Sequence, residues 1–359
     1  MPEPLKNLYT TELISKLAQS ITATHSSFES ASFQAHIFDT LWPEKELKER
    51  MKHIADTLHQ FLPEPYAKAI EILKVVSVNF AGFEYMFFPA YVELYGLDEY
   101  ETSISALAHF TPNSSSEFAV RPFIKLYPEA MMLQMQRWAE SDDEHLRRLA
   151  SEGCRPRLPW AMALPDFKQD PTAILSILEI LKRDESEYVR RSVANNLNDI
   201  AKDNPKTVIS IAQSWLGQDK DTDRLIKHAC RTLLKQGVPE IMALFNFAKP
   251  AHIKLENFTY QDAVNIGDRF EFSFTLITHE QSLGKLRIEY AIDFMKKNGQ
   301  PSRKVFKVSE SDLSTQKKHV FKKHPFKLIS TRTYYPGQHG IAIIVNGHEL
   351  KRGEFELEL

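Results

Sequence analysis

The sequence is short of cysteine, of long apolar runs and of any large excess of one charge. Only Cys154 and Cys230 occur, with no CxxC pair, so neither a disulfide framework nor a structural zinc site is predicted. No apolar run approaches the roughly 20 residues of a membrane helix, and the segment that begins Met1-Pro-Glu lacks the regions of a signal peptide. The net charge of −2 excludes a polycationic protein. We expect a reduced, cytoplasmic, soluble protein that has no membrane partner.

Portable catalytic motifs are absent as well. The sequence contains no Gly-rich phosphate loop, no GxSxG and no HExxH motif, and its 13 histidines form no metal-like cluster. We therefore predict neither a cofactor nor a metal ion. The composition is ordinary for a globular protein, with 43% hydrophobic and 26% charged residues over 359 positions, which is enough for two or more domains.

The two parts of the chain have different hydrophobic periods. Up to about residue 249, apolar residues recur every three to four positions, which is typical of helices. From His252 onwards the period is two, as in Phe270-Glu-Phe-Ser-Phe274. Ile341–Val345 and Phe355–Leu359 are predicted to close the chain as a hairpin whose return is longer than two residues. We predict a helical domain over 1–250 and a β domain over 251–359.

The helical part repeats itself. Pro128 and Trp138 align with Pro205 and Trp215, and Pro171 opens a third copy between them. The proline-to-proline steps of 43 and 34 residues bracket the helix-pair repeats of α-solenoids. The predicted fold is therefore mainly α, with an α-solenoid followed by a small all-β sandwich.

The repeat register places two carboxylates together. Glu152 is equivalent to Asn195 of the next repeat, and Asp199 lies one helical turn beyond Asn195. Glu152 and Asp199 should therefore meet on one wall of the solenoid. Paired carboxylates can hydrolyse glycosidic bonds. The alternative interpretation is that they cap helices or pair with Arg155.

The segment Ser151-Glu-Gly-Cys-Arg-Pro-Arg-Leu-Pro-Trp160, called the ledge here, combines charge with an aromatic ring. Its two prolines predict a stiff, non-helical segment after a helix. Arg155 and Arg157 offer forked donors to phosphate, and Trp160 offers a face to a cationic base. The ledge therefore suits a cationic group within a polyanion. A helix cap with Trp160 in the core is the alternative interpretation.

Further candidates flank these motifs. Glu117 follows a Ser-rich loop, where it could act in a site or simply stabilise a helix N-terminus. Arg190 and Arg191 add two more phosphate-binding forks near the carboxylates. Each arginine could equally be a solvated surface residue.

The β domain has an excess of positive charge. Eleven Lys and Arg face only two acids between Lys296 and Arg332, including the pairs Lys317-Lys318 and Lys322-Lys323. Residues 252–359 carry a net charge of +4. A basic patch of this kind is typical of nucleic-acid binding, although a charge run can also be only a solvated face.

Three segments carry a resemblance to a known family. Ser115–Pro122, Ala150–Trp160 and Val189–Asp199 resemble the AlkC branch of the DNA alkylation repair glycosylases, a superfamily built from HEAT-like repeats that includes AlkC and AlkD. The β domain resembles the immunoglobulin-like domain of some AlkC proteins, and Tyr334–Ile341 is similar to the tyrosine corner of such domains. The implied architecture is a HEAT-like solenoid with an immunoglobulin-like sandwich.

The resemblance implies a monofunctional glycosylase that releases cationic alkylated bases, chiefly 3-methyladenine and 3-methylcytosine, from duplex DNA. It implies that Glu152 and Asp199 carry the hydrolysis and that Glu117 and Trp160 lie in the lesion site. No lysine that could form a Schiff base is evident near these motifs, so no lyase activity is expected. A monomer suffices for this chemistry. The residues expected to bind DNA are Arg155, Arg157, Arg190, Arg191, Lys317, Lys318, Lys322 and Lys323.

Two other functions stay open. One is a non-catalytic solenoid that binds damaged or branched DNA, in which Glu152 and Asp199 would be replaceable. The other is a protein-interaction scaffold, which is the commonest role of HEAT repeats and would show no salt-sensitive affinity for DNA.

Overall fold

The computed structural model describes residues 3–329 and 332–359. Met1 and Pro2 lie outside the described residues; they begin the segment in which no signal peptide is predicted. Residues 330–331, from the basic stretch, also lie outside them. The chain forms two compact units. The helical unit comprises the residues up to Val208 together with Ser214–Ala229, and the strand unit comprises Ile209–Gln213 together with Cys230–Leu359.

The first part of the chain is helical. In the described residues the α-helices are α1 (Thr11–Thr24), α2 (Ser30–Ile37), α3 (Leu47–Phe61), α4 (Tyr66–Ser77), α5 (Phe87–Tyr95), α6 (Tyr100–Phe110), α7 (Val120–Leu126), α8 (Pro128–Ala139), α9 (Glu144–Gly153), α10 (Pro165–Gln169), α11 (Thr172–Leu181), α12 (Glu187–Ile200), α13 (Pro205–Trp215), α14 (Lys220–Ala229), α15 (Arg231–Gln236) and α16 (Pro239–Leu244). Short 3₁₀ turns occur at Leu5–Leu8, Trp42–Glu44 and Phe83–Met86.

The repeat is formed by two layers of helices. α9, α12 and α14 pack side by side, while α8 packs on α9 and α11 packs on α8. Pro128 begins α8 at a position where no helical N–H is required, and Trp138 near the end of that helix is buried in the core. The predicted mainly-α repeat fold is confirmed. Because α9 and α12 are neighbours, residues at the ends of these two helices face the same wall.

The strand unit contains β1 to β8 and, by its contacts, also α15 and α16. Among the described residues one sheet has the order β1-β3-β6, and the other has the order β2-β8-β7-β4-β5 with β2 parallel to β8. The strands are β1 (Lys254–Tyr260), β2 (Ala263–Asn265), β3 (Arg269–Ile277), β4 (Gly284–Phe294), β5 (Ser302–Leu313), β6 (Lys317–Pro325), β7 (Gly337–Val345) and β8 (His348–Glu358).

The two sheets enclose one apolar core. Phe270, Phe272 and Phe274 of β3 meet the inward side chains of β4 and β7, such as Ile288 and Ile343. This is the alternation predicted from the sequence, since every second residue of a half-buried strand faces the core. The predicted all-β sandwich is therefore confirmed.

The last hairpin is tighter than predicted. β7 and β8 are joined by Asn346 and Gly347 alone, both with positive φ (47° and 77°), and Val345 pairs with His348. The prediction of a longer return was wrong. The prediction failed because residues 348–354 are mostly charged and have no apolar alternation that would mark a strand. Their backbone nevertheless pairs with β7, so β8 begins directly after the turn.

Candidate active site

Glu152 and Asp199 lie close together, as the repeat register predicted. Glu152 is in the last turn of α9, Asp199 is in the last turn of α12, and their exposed fractions are only 5% and 2%. The guanidinium of Arg155 lies between them. Its Nη1 donates to Glu152 Oε1 (2.5 Å) and its Nε donates to Asp199 Oδ2 (2.9 Å). One cation therefore fixes the orientation of both carboxylates.

Each carboxylate has a second donor. Ser192 Oγ donates to Glu152 Oε2 at 2.6 Å, and the Ser192 hydroxyl also contacts the hydroxyl of Ser151. Lys202 Nζ donates to Asp199 Oδ1 at 2.9 Å. Every carboxylate oxygen is thus oriented by the protein, yet a carboxylate oxygen can accept more than one hydrogen bond. The site keeps acceptor capacity for a water molecule.

Arg155 is almost completely buried and permanently charged. Burial acts to lower the pKa of Arg155, but the charges of Glu152 and Asp199 outweigh it and the pKa is raised. Nε and Nη1 donate to the two carboxylates, and Nη2 lies 2.8 Å from Asp199 Oδ2. This placement favours a role in orienting the carboxylates over the predicted contact with phosphate.

Glu117 joins the same network through a residue that the sequence did not single out. Arg148 Nη1 lies 2.5 Å from Glu117 Oε2, and its Nη2 lies 3.6 Å from Glu152 Oε1. The Arg148 guanidinium also stands 5.1 Å from the ring centroid of Tyr188. Burial acts to lower the pKa of Arg148, but Glu117 and Glu152 outweigh it and raise that pKa. Glu117, Glu152 and Asp199 therefore form one linked row of carboxylates.

Trp160 is on the surface, so the interpretation of it as a core residue was wrong. Its exposed fraction is 62%, and its backbone has a φ of +63°, which is uncommon for a bulky residue. Lys48 Nζ donates to the Trp160 carbonyl (2.8 Å), and the ring of Phe83 meets the indole edge-on at 6.2 Å. Lys48 thus holds the backbone of Trp160, Phe83 contacts one edge of its indole, and most of the side chain is open to solvent.

The ledge is non-helical from Cys154 onwards, as predicted, whereas its residues 151–153 still belong to α9, and Arg121 anchors the non-helical part. The completely buried Arg121 donates from Nη1 to the Gly153 carbonyl (2.8 Å) and from Nε to the Met162 carbonyl (2.7 Å). Burial lowers the pKa of Arg121 to about 10. Gly153 is required where α9 ends, because a Cβ there would lie 2.7 Å from Val120 Cγ2.

The other predicted arginines of the helical unit lie on or near its surface. Arg157 makes a forked pair with Asp203 (2.9 and 2.6 Å). Arg190 donates to two backbone carbonyls in the turn before α12, and Arg191 is exposed and pairs with Glu187 (2.8 Å). Arg190 and Arg191 also line a groove of about 540 Å³ between α12 and α14.

The four predicted lysines lie on β6, an outer strand of its sheet. Lys317 and Lys323 point to the exposed face of this strand, whereas Lys318 and Lys322 are partly buried. Lys323 pairs with Glu271 of β3 at 2.5 Å. They lie along one outer strand and are divided between its two faces.

Several residues of the site escaped the sequence-based reasoning. Ser192 and Lys202 sit in or just after α12, close to the quoted motif, but nothing in their spacing marked them as partners of the carboxylates. Lys202 contacts Asp199, so an amine does lie beside the carboxylates, and the expected absence of lyase activity stays a prediction. Lys48 could not have been found from spacing, because 112 positions separate it from Trp160.

Among residues 3–329 and 332–359, no cluster of His, Cys, Asp and Glu could hold a metal ion. In the same part of the chain, none of the helices has the length and apolar character that crossing a bilayer requires. Both Cys154 and Cys230 are free and buried.

Comparison with known proteins gives the chain its family. Residues 97–233 match the family model described as DNA alkylation repair enzyme, and residues 254–359 match that of the C-terminal Ig-like domain of uncharacterised protein YhaZ. The uncharacterized protein YhaZ of Bacillus subtilis (strain 168) is 44% identical over 98% of this chain and 99% of its own length.

A solved structure is similar over the whole chain. It is the Pseudomonas fluorescens alkylpurine DNA glycosylase AlkC bound to DNA containing an abasic site analog, with a TM-score of 0.94 and 36% identity. The match covers 99% of this chain and 100% of that one. The chain therefore belongs to the AlkC-type DNA alkylation repair family that carries a C-terminal immunoglobulin-like domain.

Proposed function

We propose that this protein is a DNA glycosylase that hydrolyses the N-glycosidic bond of cationic alkylated bases, chiefly 3-methyladenine and 3-methylcytosine, in duplex DNA. One observation carries the proposal. Two buried carboxylates, Glu152 and Asp199, are held side by side by Arg155, in a chain that resembles an alkylpurine DNA glycosylase along its full length.

The chemistry of the substrate matches what the site offers. A methylated, positively charged base is already a good leaving group, so no general acid is needed to protonate it. The remaining tasks are to stabilise positive charge on the deoxyribose as the bond breaks and to orient a water molecule. Fixed carboxylates perform both, since negative groups aimed at developing positive charge need no reorganisation during the reaction.

In the proposed mechanism Asp199 and Glu152 share these tasks. Arg155 and Lys202 hold Asp199, while Arg155 and Ser192 hold Glu152, so neither carboxylate rotates when substrate arrives. The released base leaves with the electron pair of the glycosidic bond and becomes neutral. Water then adds its oxygen to the sugar C1′, and a carboxylate takes the proton.

Glu117 and Trp160 are proposed to lie at the lesion. The open indole face of Trp160 would attract the cationic base, a contact worth roughly 0.5–2 kcal/mol. Glu117 would add negative charge beside it, and Arg148 ties Glu117 to Glu152. This arrangement favours a charged base over a neutral one.

The proposed contacts to DNA follow the charge. Arg157, Arg190 and Arg191 in the helical unit and Lys317, Lys318, Lys322 and Lys323 on β6 would bind backbone phosphates; Arg155 would act through the carboxylates instead. We further propose a catalytic domain over 1–250 and a DNA-binding domain over 251–359, acting as a monomer in the cytoplasm.

A second function is favoured by one feature of the same site. Arg155, Arg148 and Lys202 neutralise the three carboxylates, so the network is complete as an ion cluster. A protein without activity could also retain it, because loss of one partner would leave a buried charge unpaired. The alternative is therefore a non-catalytic HEAT-repeat protein that binds damaged or branched DNA.

Base release separates the two functions. Duplex DNA treated with a methylating agent would be incubated with the purified chain, and free 3-methyladenine, 3-methylcytosine and 7-methylguanine would be resolved by chromatography. The glycosylase releases the 3-methyl bases. Tight binding of the same DNA without any released base would instead select the non-catalytic binder.

The proposed absence of lyase activity has its own test, because Lys202 lies beside Asp199. A lyase needs an amine that attacks C1′ and forms a Schiff base. With an abasic duplex and sodium borohydride, we expect no covalent complex between wild-type protein and DNA. A trapped complex that disappears in Lys202→Met would overturn the monofunctional assignment.

A further inference from the structure

One end of the strand unit concentrates positive charge around a pocket. Lys296 and Lys297 lie in the loop between β4 and β5, Arg303 and Lys304 lie near the start of β5, and Arg332 precedes β7. These side chains line two depressions of about 140 and 540 Å³ that share Lys296 and Arg332. No acidic residue lines either depression. We call this feature the cationic pocket.

Arg332 is held in place by aromatic rings. Its guanidinium carbon lies 4.9 Å from the ring centroid of Phe294 and 5.7 Å from that of Tyr334, and both rings are buried. A guanidinium stacked on an aromatic ring keeps its plane while its N–H groups stay available to an acceptor. Arg332 is therefore pre-oriented for an anion.

The charge of the cationic pocket is offset at Arg303 only, within the described residues. Arg303 pairs with Glu349 at 2.5 Å and lies 3.8 Å from Asp293, but no ion pair reaches Lys296, Lys304 or Arg332 in that part of the chain. The pKa of Lys304 is lowered, first by burial and then by the charges of Arg332, Lys235 and Lys296. Cations that repel one another in this way cost the folded protein stability, and an anion bound among them would recover it.

We propose that the cationic pocket binds consecutive phosphate groups of a DNA strand, at a site separate from the four lysines of β6. Two adjoining depressions that share Lys296 and Arg332 suit a chain of phosphates better than one isolated ion. A forked guanidinium and flexible ammonium groups are the donors that phosphate oxygens favour. We take DNA as the source of these phosphate groups because the inference rests on the function proposed above. A free phosphate anion would be bound by the same chemistry, so the experiment must distinguish the two.

Binding to undamaged duplex DNA tests this site without requiring catalysis. Fluorescence anisotropy would follow the affinity of the full chain from low to high salt for wild type, Lys296→Gln and Arg332→Gln. Each variant should weaken binding on the order of tenfold and reduce the slope of log K against log salt by about one. Lys351→Gln removes an exposed charge outside the pocket and should retain the wild-type slope.

Two additions keep the test decisive. Arg332→Lys preserves the charge if Arg332→Gln proves poorly folded by circular dichroism, and it should keep the slope while losing affinity. Calorimetry with inorganic pyrophosphate checks the other source. If the folded variants keep the wild-type DNA slope, the proposal is overturned, and loss of pyrophosphate binding in them would then assign the pocket to a free anion. If wild type releases no base but the variants reduce the salt slope as expected, the proposed glycosylase activity is wrong and the proposed DNA-binding pocket still stands.

Discussion

Arg155 determines the geometry of both carboxylates, so it is the residue with the largest expected effect outside the carboxylates themselves. Its three nitrogens reach Glu152 and Asp199 at 2.5–2.9 Å, and the hydrogen bonds have the fork geometry that only arginine provides. An ammonium group at the same place could hold one carboxylate but not orient two. The buried position also removes this cation from the surface that meets DNA.

Replacement of Arg155 by lysine tests whether this side chain orients the two carboxylates or binds a DNA phosphate. In Arg155→Lys, base release should fall roughly a hundredfold, because small displacements of catalytic groups cost about that much. The salt slope of DNA binding should not change, since the side chain is buried. Single-turnover release and anisotropy would measure the two effects. A reduced slope would contradict the orienting role and restore the phosphate contact.

His324 gives the strand unit a pH dependence of stability. It is 4% exposed, and its Nδ1 lies 2.9 Å from the Tyr290 hydroxyl. Burial, followed by the charges of Arg332 and Lys304, lowers the pKa of His324 to about 4. As pH falls below about 6.5 the unfolded chain takes up a proton that the folded chain refuses. The folded state should therefore lose about 3 kcal/mol between pH 6.5 and 4.

Urea unfolding at several pH values would measure this effect in wild type and in His324→Asn, whose side-chain amide can still meet Tyr290. The variant should lack the loss of about 3 kcal/mol. His319→Asn, on the exposed face of β6, should follow the wild-type profile. Identical profiles for wild type and His324→Asn would show that His324 does not titrate in this way.

At the scale of elements, the ledge is held by residues far from it in the sequence. Arg121 comes from α7 and binds the Gly153 carbonyl within the ledge and the Met162 carbonyl just beyond it, and Lys48 from α3 binds the Trp160 carbonyl. These three hydrogen bonds turn a segment with two prolines into a fixed support for Arg155 and Trp160. The position of the open indole therefore depends on the packing of the first helices.

Removal of the Arg121 anchor should loosen the ledge. Arg121→Met leaves the buried Gly153 carbonyl and the part-buried Met162 carbonyl without this donor, which should lower the free energy of unfolding by about 1–3 kcal/mol and make Trp160 more mobile. Fluorescence anisotropy would follow the indole, because the other three tryptophans are buried. Arg137→Met, on the exposed face of α8, is the control. A variant as stable as wild type would contradict the anchoring role.

The sequence allowed the elements to be predicted where they depend on periodicity. The helix-pair repeat and the strand alternation follow from local patterns, and the meeting of Glu152 with Asp199 follows from repeat register. Contacts between residues that are far apart in the sequence leave no periodic pattern from which they could be predicted. The exposure of Trp160 depends on Lys48 and Phe83, and the two-residue hairpin turn depends on backbone pairing that charged residues conceal.

At the scale of the whole molecule, charge and chemistry are divided between the two units. The buried carboxylates belong to the helical unit, whereas the uncompensated cations belong to the strand unit. The net charge of −2 conceals this division. In the proposed function, this division would let one unit attract the polyanion and the other unit attract the cationic base.

The central claim is that Glu152 and Asp199 hydrolyse the bond to a cationic base. Its most direct test is single-turnover release of 3-methyladenine from a methylated duplex by wild type, Glu152→Gln, Asp199→Asn and the exposed control Glu129→Gln. We predict that both amide variants stay folded, still bind the duplex and lose roughly a hundredfold or more in rate, while the control matches wild type. Wild-type rates in folded Glu152→Gln and Asp199→Asn would contradict the account.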